Sequence, residues 1–203
     1  RDEEENIENL FGEICGAMPQ FPDWECIWVD DGSTDGTLGK LKSLMSQNAH
    51  VRILEHSKSF GQSAALASGF RAAHGAVIVT LDGDGQNDPA SIPALIDTLR
   101  SGDFDMVNGW REKRHDNIIR KLSSKIANSF RNFMTGEKIR DIGCALRAVK
   151  KEAVMDIPVF KGMHRFLPTL VRIAGHGKIT EIPVRHRPRI KGQTKYGVSN
   201  RLW

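Results

Sequence analysis

Two short acidic clusters, each directly behind an apolar run, stand out as the groups able to do chemistry. The first is Val29-Asp30-Asp31-Gly32-Ser33-Thr34-Asp35-Gly36-Thr37, after Glu25-Cys26-Ile27-Trp28. The second is Asp82-Gly83-Asp84-Gly85-Gln86, after Ala76-Val77-Ile78-Val79-Thr80-Leu81. Carboxylates at the end of a buried strand can accept hydrogen bonds from a ribose diol or a base N–H. An Asp-Gly turn with a helix cap at Asp35 accounts for that residue, but leaves two adjacent charges, Asp30 and Asp31, in need of partners. In the second cluster the glycines let the backbone bend so that Asp82 and Asp84 converge. Hard oxygen ligands of this kind suit Mg²⁺ or Mn²⁺, which complete their shell with water and phosphate. An EF-hand is excluded, because a strand rather than a helix precedes the cluster and no Glu stands at the twelfth position.

The elements that must carry these clusters follow from periodicity. Ile7, Leu10, Phe11 and Ile14 share a helical face within 4–18. Strands are expected at 25–29, 51–54, 76–81 and 105–108, with helices from Asp35, over 62–74 and over 90–99. Strand and helix in regular alternation predict a mostly parallel sheet flanked by helices. The chain opens on a helix with no strand before it, so the first strand of such a unit is expected to be missing. Beyond residue 110, Ile118, Leu122, Ile126, Phe130 and Phe133 recur at helical spacing among Arg120, Lys121, Lys125 and Arg131. This basic amphipathic helix fits either packing on the sheet or resting on an anionic membrane surface. A strand at 144–149, a helix at 150–156, a helix at 163–174 broken or kinked at Pro168, and a strand at 179–184 complete the order.

Charge divides the chain. Residues 1–105 hold 7 Lys and Arg against 18 Asp and Glu, a net −11, and residues 106–203 hold 22 against 7, a net +15. An acidic half suits metal and sugar hydroxyls, and a basic half suits phosphate or an anionic surface. A nucleic-acid binder is disfavoured by the acidic half and by a single Tyr. Cys15, Cys26 and Cys144 match no zinc spacing and fit thiols in a reducing cytosol, with Cys26 and Cys144 as small core residues. The histidines, among them His56 and His164, show no triad or metal spacing and read as surface or phosphate-contact residues. No apolar run approaches the length of a membrane helix.

Together the two clusters resemble the family 2 glycosyltransferases of the GT-A fold, within them the polyprenyl-phosphate (dolichol-phosphate mannose synthase-like) enzymes. Three more segments carry the resemblance in order: Asn108-Gly109-Trp110-Arg111, Asp141-Ile142-Gly143-Cys144-Ala145-Leu146-Arg147, and Arg189-Ile190-Lys191-Gly192-Gln193-Thr194-Lys195-Tyr196, where Thr194 replaces the usual Ser. The resemblance implies one catalytic domain over 1–203. Residues 1–110 would hold the nucleotide sugar and metal. Residues 111–203 would hold the acceptor, with the amphipathic helix and a phosphate-binding loop. It assigns Glu3, Asp30 and Asp31 to the base or ribose, with Gly83 in the nucleotide-binding turn. Asp82 would lie by the ribose or metal, and Asp84 and Gln86 would ligate the cation. Arg111, Arg189 and Lys195 would meet phosphate, and Asp141 would orient the acceptor or act as a weak base. The implied reaction moves a sugar from a UDP- or GDP-sugar to a polyprenyl phosphate with inversion, at the cytoplasmic, inner face of a membrane, with a homo-oligomer left open. A family 2 enzyme acting on a saccharide hydroxyl, a nucleotidyltransferase and a non-catalytic sugar-nucleotide module remain as alternatives.

Overall fold

The computed structural model describes residues 1–111 and 139–189. In chain order these form α1 (Ile7–Ala17), β1 (Cys26–Asp30), α2 (Thr37–Gln47), β2 (Val51–Glu55), α3 (Gln62–Ala72), β3 (Val77–Thr80), a 3₁₀ turn (Pro89–Ser91), α4 (Ile92–Ser101) and β4 (Met106–Arg111). After residue 139 come β5 (Arg147–Lys150), α5 (Glu152–Met155), a 3₁₀ turn (Met163–Arg165), α6 (Leu167–Ile173) and β6 (Ile179–Val184). The expected amphipathic helix around 118–133 and the expected phosphate contact Lys195 lie outside the described residues.

The strands make two hydrogen-bonded sets. β1 and β2 pair in parallel, and the other four form a sheet of order β3-β5-β4-β6. β4 and β6 are parallel, while β5 runs antiparallel to both β3 and β4. The regular parallel alternation read from the sequence therefore breaks at β5. That strand begins beside the carboxyl ends of its neighbours, with Arg147 opposite both Thr80 and Asn108. The chain thus delivers residues 139–146 to the same end of the sheet as the strand-end loops.

Both faces of the four-stranded sheet are covered, which is why Met106, Val107, Ala148 and Val149 of its central strands are all fully buried. Side chains alternate across a strand. Met106 and Val149 face α3, α5 and α6 in a core with Phe70, Val154, Met163, Leu167 and Val171. Val107 and Ala148 face the opposite way, towards Ile92, Leu95, Ile96 and Leu99 of α4. Those four sit at helical spacing and are each at most 5% exposed, contributing roughly 1.5–3 kcal/mol apiece. Cys144 is fully buried, as expected, whereas Cys26 is only half-buried.

The segment 163–174 resolves into a 3₁₀ turn and a separate helix. Pro168 stands in the first turn of α6 rather than at a kink, where a missing N–H leaves no bond unmade. The first helix starts at Ile7, its first apolar position, rather than at residue 4, and the N–H groups of residues 2–4 bind Ser33, Thr37 and Asp35 instead.

Candidate active site

The acidic clusters, Arg111, Asp141 and Arg189 gather at one end of the sheet. The first cluster is tied down by the N-terminal segment. The Asp2 N–H donates to Ser33 Oγ at 2.8 Å, the Glu3 N–H to Thr37 Oγ1 at 2.9 Å, and the Thr34 N–H to Asp2 at 2.7 Å. The N-cap of α2 is Gly36 rather than Asp35; the Asp35 carboxylate, one residue earlier, accepts from the Thr37 N–H at 3.0 Å. Asp30 and Asp31 find their partners inside the protein. Asp30 accepts from the Ser33 N–H and hydroxyl. Asp31 accepts from the Ser59 hydroxyl at 2.7 Å, the Phe60 and Gly61 N–H groups at 2.9 and 2.8 Å, and pairs with His56 Nδ1 at 2.8 Å. Burial alone would raise the Asp31 pKa, but these hydrogen bonds outweigh it and hold the carboxyl at about 2. Gly32 sits between the two clusters of donors with φ +64°, and a Cβ there would lie 2.6 Å from the Lys58 carbonyl carbon. The 57–61 loop therefore closes directly onto the Asp30-Asp31-Gly32 turn.

The second cluster follows β3. Asp82 accepts from Gln62 Nε2 at 2.9 Å, which links it to the start of α3. Desolvation, then the neighbouring Asp84 charge, raise the Asp82 carboxyl to about 6, against the pull of Arg147 and Arg111. Asp84 accepts from the Gln86 N–H at 3.0 Å on one oxygen and from Arg189 Nη2 at 2.9 Å on the other. The second arm of Arg189 reaches both Glu3 oxygens, at 3.1 and 3.3 Å. The basic segment leading to Arg189 is laced along the same loop. The Arg187 N–H donates to the Gln86 carbonyl at 2.8 Å, Gln86 Nε2 donates to the Arg187 carbonyl at 3.3 Å, and the Arg187 side chain pairs with Glu13 and Asp88.

A divalent cation fits this corner. Asp82, Asp84 and Gln86 offer hard oxygens, burial and then the Asp84 charge work against ionisation of Asp82, and the Arg189 guanidinium already stands as a cation against Asp84. Among the described residues no three His, Cys, Asp or Glu side chains cluster as a complete ligand set. Such an ion would thus depend on water and phosphate oxygens for the rest of its shell.

Arg111 and Asp141 form a two-pronged pair, Nε to Oδ2 at 2.6 Å and Nη2 to Oδ1 at 2.8 Å, with the Arg111 N–H adding a third bond at 3.2 Å. Both side chains are largely buried. Nearby, Arg147 is itself buried and its guanidinium donates to the Cys144, Ile142 and His164 carbonyls. It braces the turn that presents Asp141.

Three residues that sequence reasoning passed over matter here. His56 is not a surface residue. Its Nδ1 meets Asp31, and its Nε2 meets Ser68 Oγ at 2.9 Å. His164 pairs with Ser63 Oγ at 3.0 Å, and burial, then the charges of Arg165 and Arg147, lower its pKa to about 4. Gln62 supports Asp82. All three lie in segments with no motif, so only spatial proximity reveals them.

Residues 1–157 match the glycosyl transferase family 2 domain. The chain belongs to that family. Family 2 membership agrees with relatives of known name. Dodecaprenyl-phosphate galacturonate synthase of Rhizobium johnstonii is 37% identical over 202 residues, 98% of this chain and 60% of the relative. Undecaprenyl-phosphate 4-deoxy-4-formamido-L-arabinose transferase of Salmonella paratyphi A is 34% identical over 197 residues, 96% of this chain and again 60% of the relative. The chain thus spans about 60% of the length of these relatives. In solved structures the fold is that of glucosyl-3-phosphoglycerate synthase from Mycobacterium tuberculosis. The phosphoglyceric acid complex superposes with a TM-score of 0.71 at 21% identity, covering 93% of this chain and 69% of that one. The complex with Mn²⁺ and UDP-glucose gives 0.68 at 21% identity, covering 92% and 68%. The family 2 chain therefore has the GT-A fold that its motifs led us to expect.

Proposed function

We propose that this chain is the catalytic domain of a metal-dependent, inverting glycosyltransferase that moves a sugar from a UDP- or GDP-sugar to a polyprenyl phosphate. The observation that carries the reading is the convergence of Asp84, Glu3 and Arg189 at the strand-end acidic loop. Carboxylate and guanidinium there can serve a cation and a diphosphate side by side. The polyprenyl-phosphate acceptors in the names of the two relatives support the acceptor class, and Mn²⁺ with UDP-glucose in a structure of the same fold supports the donor and metal classes.

Glu3, Asp30, Asp31 and the turn at Gly83 shape the nucleotide end. Asp31 does so by holding the 59–61 loop in place. Bound Mg²⁺ or Mn²⁺, held through Asp84 with Asp82 and Gln86 beside it, would act as a Lewis acid for the charge of the departing diphosphate. Arg189, which bridges Glu3 and Asp84 in the structure, would turn its guanidinium to the same charge, and Lys195 would add a second cation. Fixed positive charge placed where negative charge develops is usually the largest catalytic contribution. A lipid phosphate is already anionic, so its oxygen attacks without a strong base. Asp141 accordingly works through Arg111: its two oxygens take the Nε–Nη2 edge of the guanidinium and so orient the residue expected to meet phosphate. The site would lie at the cytoplasmic face of a membrane, where the basic second half meets anionic headgroups.

The test is a screen of UDP- and GDP-sugars with a short-chain prenyl phosphate and Mn²⁺. Release of nucleoside diphosphate together with a glycosyl-phosphoprenol supports the reading. Transfer only to saccharide hydroxyls, or release of pyrophosphate, contradicts it.

A further inference from the structure

The turn between α5 and α6 departs from the usual burial of apolar residues. Val159, Phe160 and Phe166 are 44%, 42% and 43% exposed, and the two rings sit with centroids 6.5 Å apart. They are firmly held, since Met163 and Leu167 between and beside them are 1% and 0% exposed. A third exposed ring, Phe60 at 56%, enters the same helix end: it precedes Gly61 at the start of α3, and its N–H is fixed on Asp31. Ser63, in the first turn of α3, joins the two places by accepting from the Gly162 N–H at 3.1 Å and pairing with His164. The next residue back, Gln62, holds Asp82. Exposed rings are thus coupled to the acidic loop through one helix terminus.

Cations surround the rings. Lys161 and Arg165 are exposed in the turn, and Lys58 Nζ lies 5.5 Å from the Phe60 ring centroid. Within residues 157–166, Lys161 and Arg165 are the two Lys and Arg, and there is no acid. Rings flanked by cations with no anion form the pattern of a surface that enters the headgroup region of an anionic bilayer. The same charge argues against a second copy of the chain. A two-fold contact sets like surface against like, and the turn itself offers no carboxylate to its own Lys161 and Arg165, with Asp156 standing just before it.

We propose that the 158–166 turn, with the Phe60 loop, is a membrane-contact surface that seats the acidic loop on an anionic phospholipid bilayer. The proposal rests on the lipid-phosphate acceptor read above, and supplies the means by which the site meets that acceptor at the bilayer. It is separate from the 118–133 segment, which lies elsewhere in the sequence.

The test uses vesicles of equal parts phosphatidylglycerol and phosphatidylcholine, with the 203-residue chain as wild type, as Phe160→Ser/Phe166→Ser and as Lys161→Ser/Arg165→Ser. Thermal melts check folding of each. We expect partitioning to fall about tenfold for the ring variant and by about fivefold per cation removed. Transfer to a water-soluble short-chain prenyl phosphate should stay unchanged, while transfer to vesicle-embedded undecaprenyl phosphate slows in parallel with binding. Wild-type partitioning in both variants overturns the proposal. So does a wild-type dimer in sedimentation velocity that the ring variant dissociates, because the turn would then be a contact between copies. If the variants lose vesicle binding but even wild type transfers to no prenyl phosphate, the membrane surface stands and the acceptor reading falls.

Discussion

Arg189 lies against Asp84, Nη2 to Oδ2 at 2.9 Å, so the residue expected to ligate the cation is already neutralised by the residue expected to meet the diphosphate. The two side chains are 23% and 12% exposed, which limits screening of the pair. A metal arriving alone must displace the guanidinium. A metal arriving with a diphosphate gives the guanidinium a new anion to bind.

Arg189→Gln should therefore tighten binding of Mn²⁺ alone by about fivefold, the equivalent of one partly exposed ion pair of about 1 kcal/mol. It should weaken Mn²⁺ binding measured in the presence of nucleoside diphosphate. Manganese EPR titration reads both. An unchanged affinity for free Mn²⁺ in the variant contradicts the competition.

Arg111 and Asp141 should behave as a unit. Their side chains are 15% and 7% exposed, and losing one partner of a buried pair costs roughly 3–5 kcal/mol. Asp141→Asn and Arg111→Lys should each lower stability and transfer. Their double mutant should fall short of the sum by at least about 1 kcal/mol. Urea melts and kcat/KM for the three variants check this, and simple additivity would separate the two residues.

Gly32→Ala should loosen the nucleotide end of the site. The backbone there has φ +64°, and the added Cβ would stand 2.6–2.8 Å from Lys58 and Ser59 backbone atoms. Left-handed strain of about 1–2 kcal/mol adds to that clash. The expected result is a loss of about 2 kcal/mol or more in stability and weaker nucleoside diphosphate binding by calorimetry. Wild-type values for both would mean that the loop yields at no cost.

Asp31 sets a pH signature. Its folded pKa of about 2 lies below the ordinary value of 3.8, so the unfolded chain binds the proton more readily between the two. The carboxylate contributes stability that is complete above about pH 4 and is lost as pH falls towards 2, about 2 kcal/mol in all. Asp31→Asn should remove that slope from the stability profile measured by denaturant melts between pH 5 and pH 2. A variant with the same slope as wild type places the acid sensitivity in other groups.

Much of this was legible in the sequence. Apolar runs ending in Asp30-Asp31 and Asp82-Gly83-Asp84 gave the strand ends to within a residue or two, with β1 running on through Asp30. The helical face of α1 followed from spacing alone. Less legible was anything set by long-range pairing. The reversal of β5 depends on how residues 139–146 return to the sheet, and no local period encodes that. Asp30 and Asp31 were correctly judged to need partners, but those partners, Ser33, His56 and the 59–61 loop, are supplied by tertiary contact. His56 and His164 misled for the same reason: a histidine's surroundings, not its sequence neighbours, decide whether it faces solvent.

The central claim is that Asp84 carries the cation which takes up charge from the leaving diphosphate. Anomalous scattering at the manganese edge, from crystals grown with Mn²⁺ and a UDP- or GDP-sugar, tests it most directly. The account predicts a manganese peak bonded to Asp84 and to diphosphate oxygens, with Arg189 turned from Asp84 to phosphate. Bound nucleotide with the manganese peak elsewhere, or with Arg189 still on Asp84 and no peak, would contradict it.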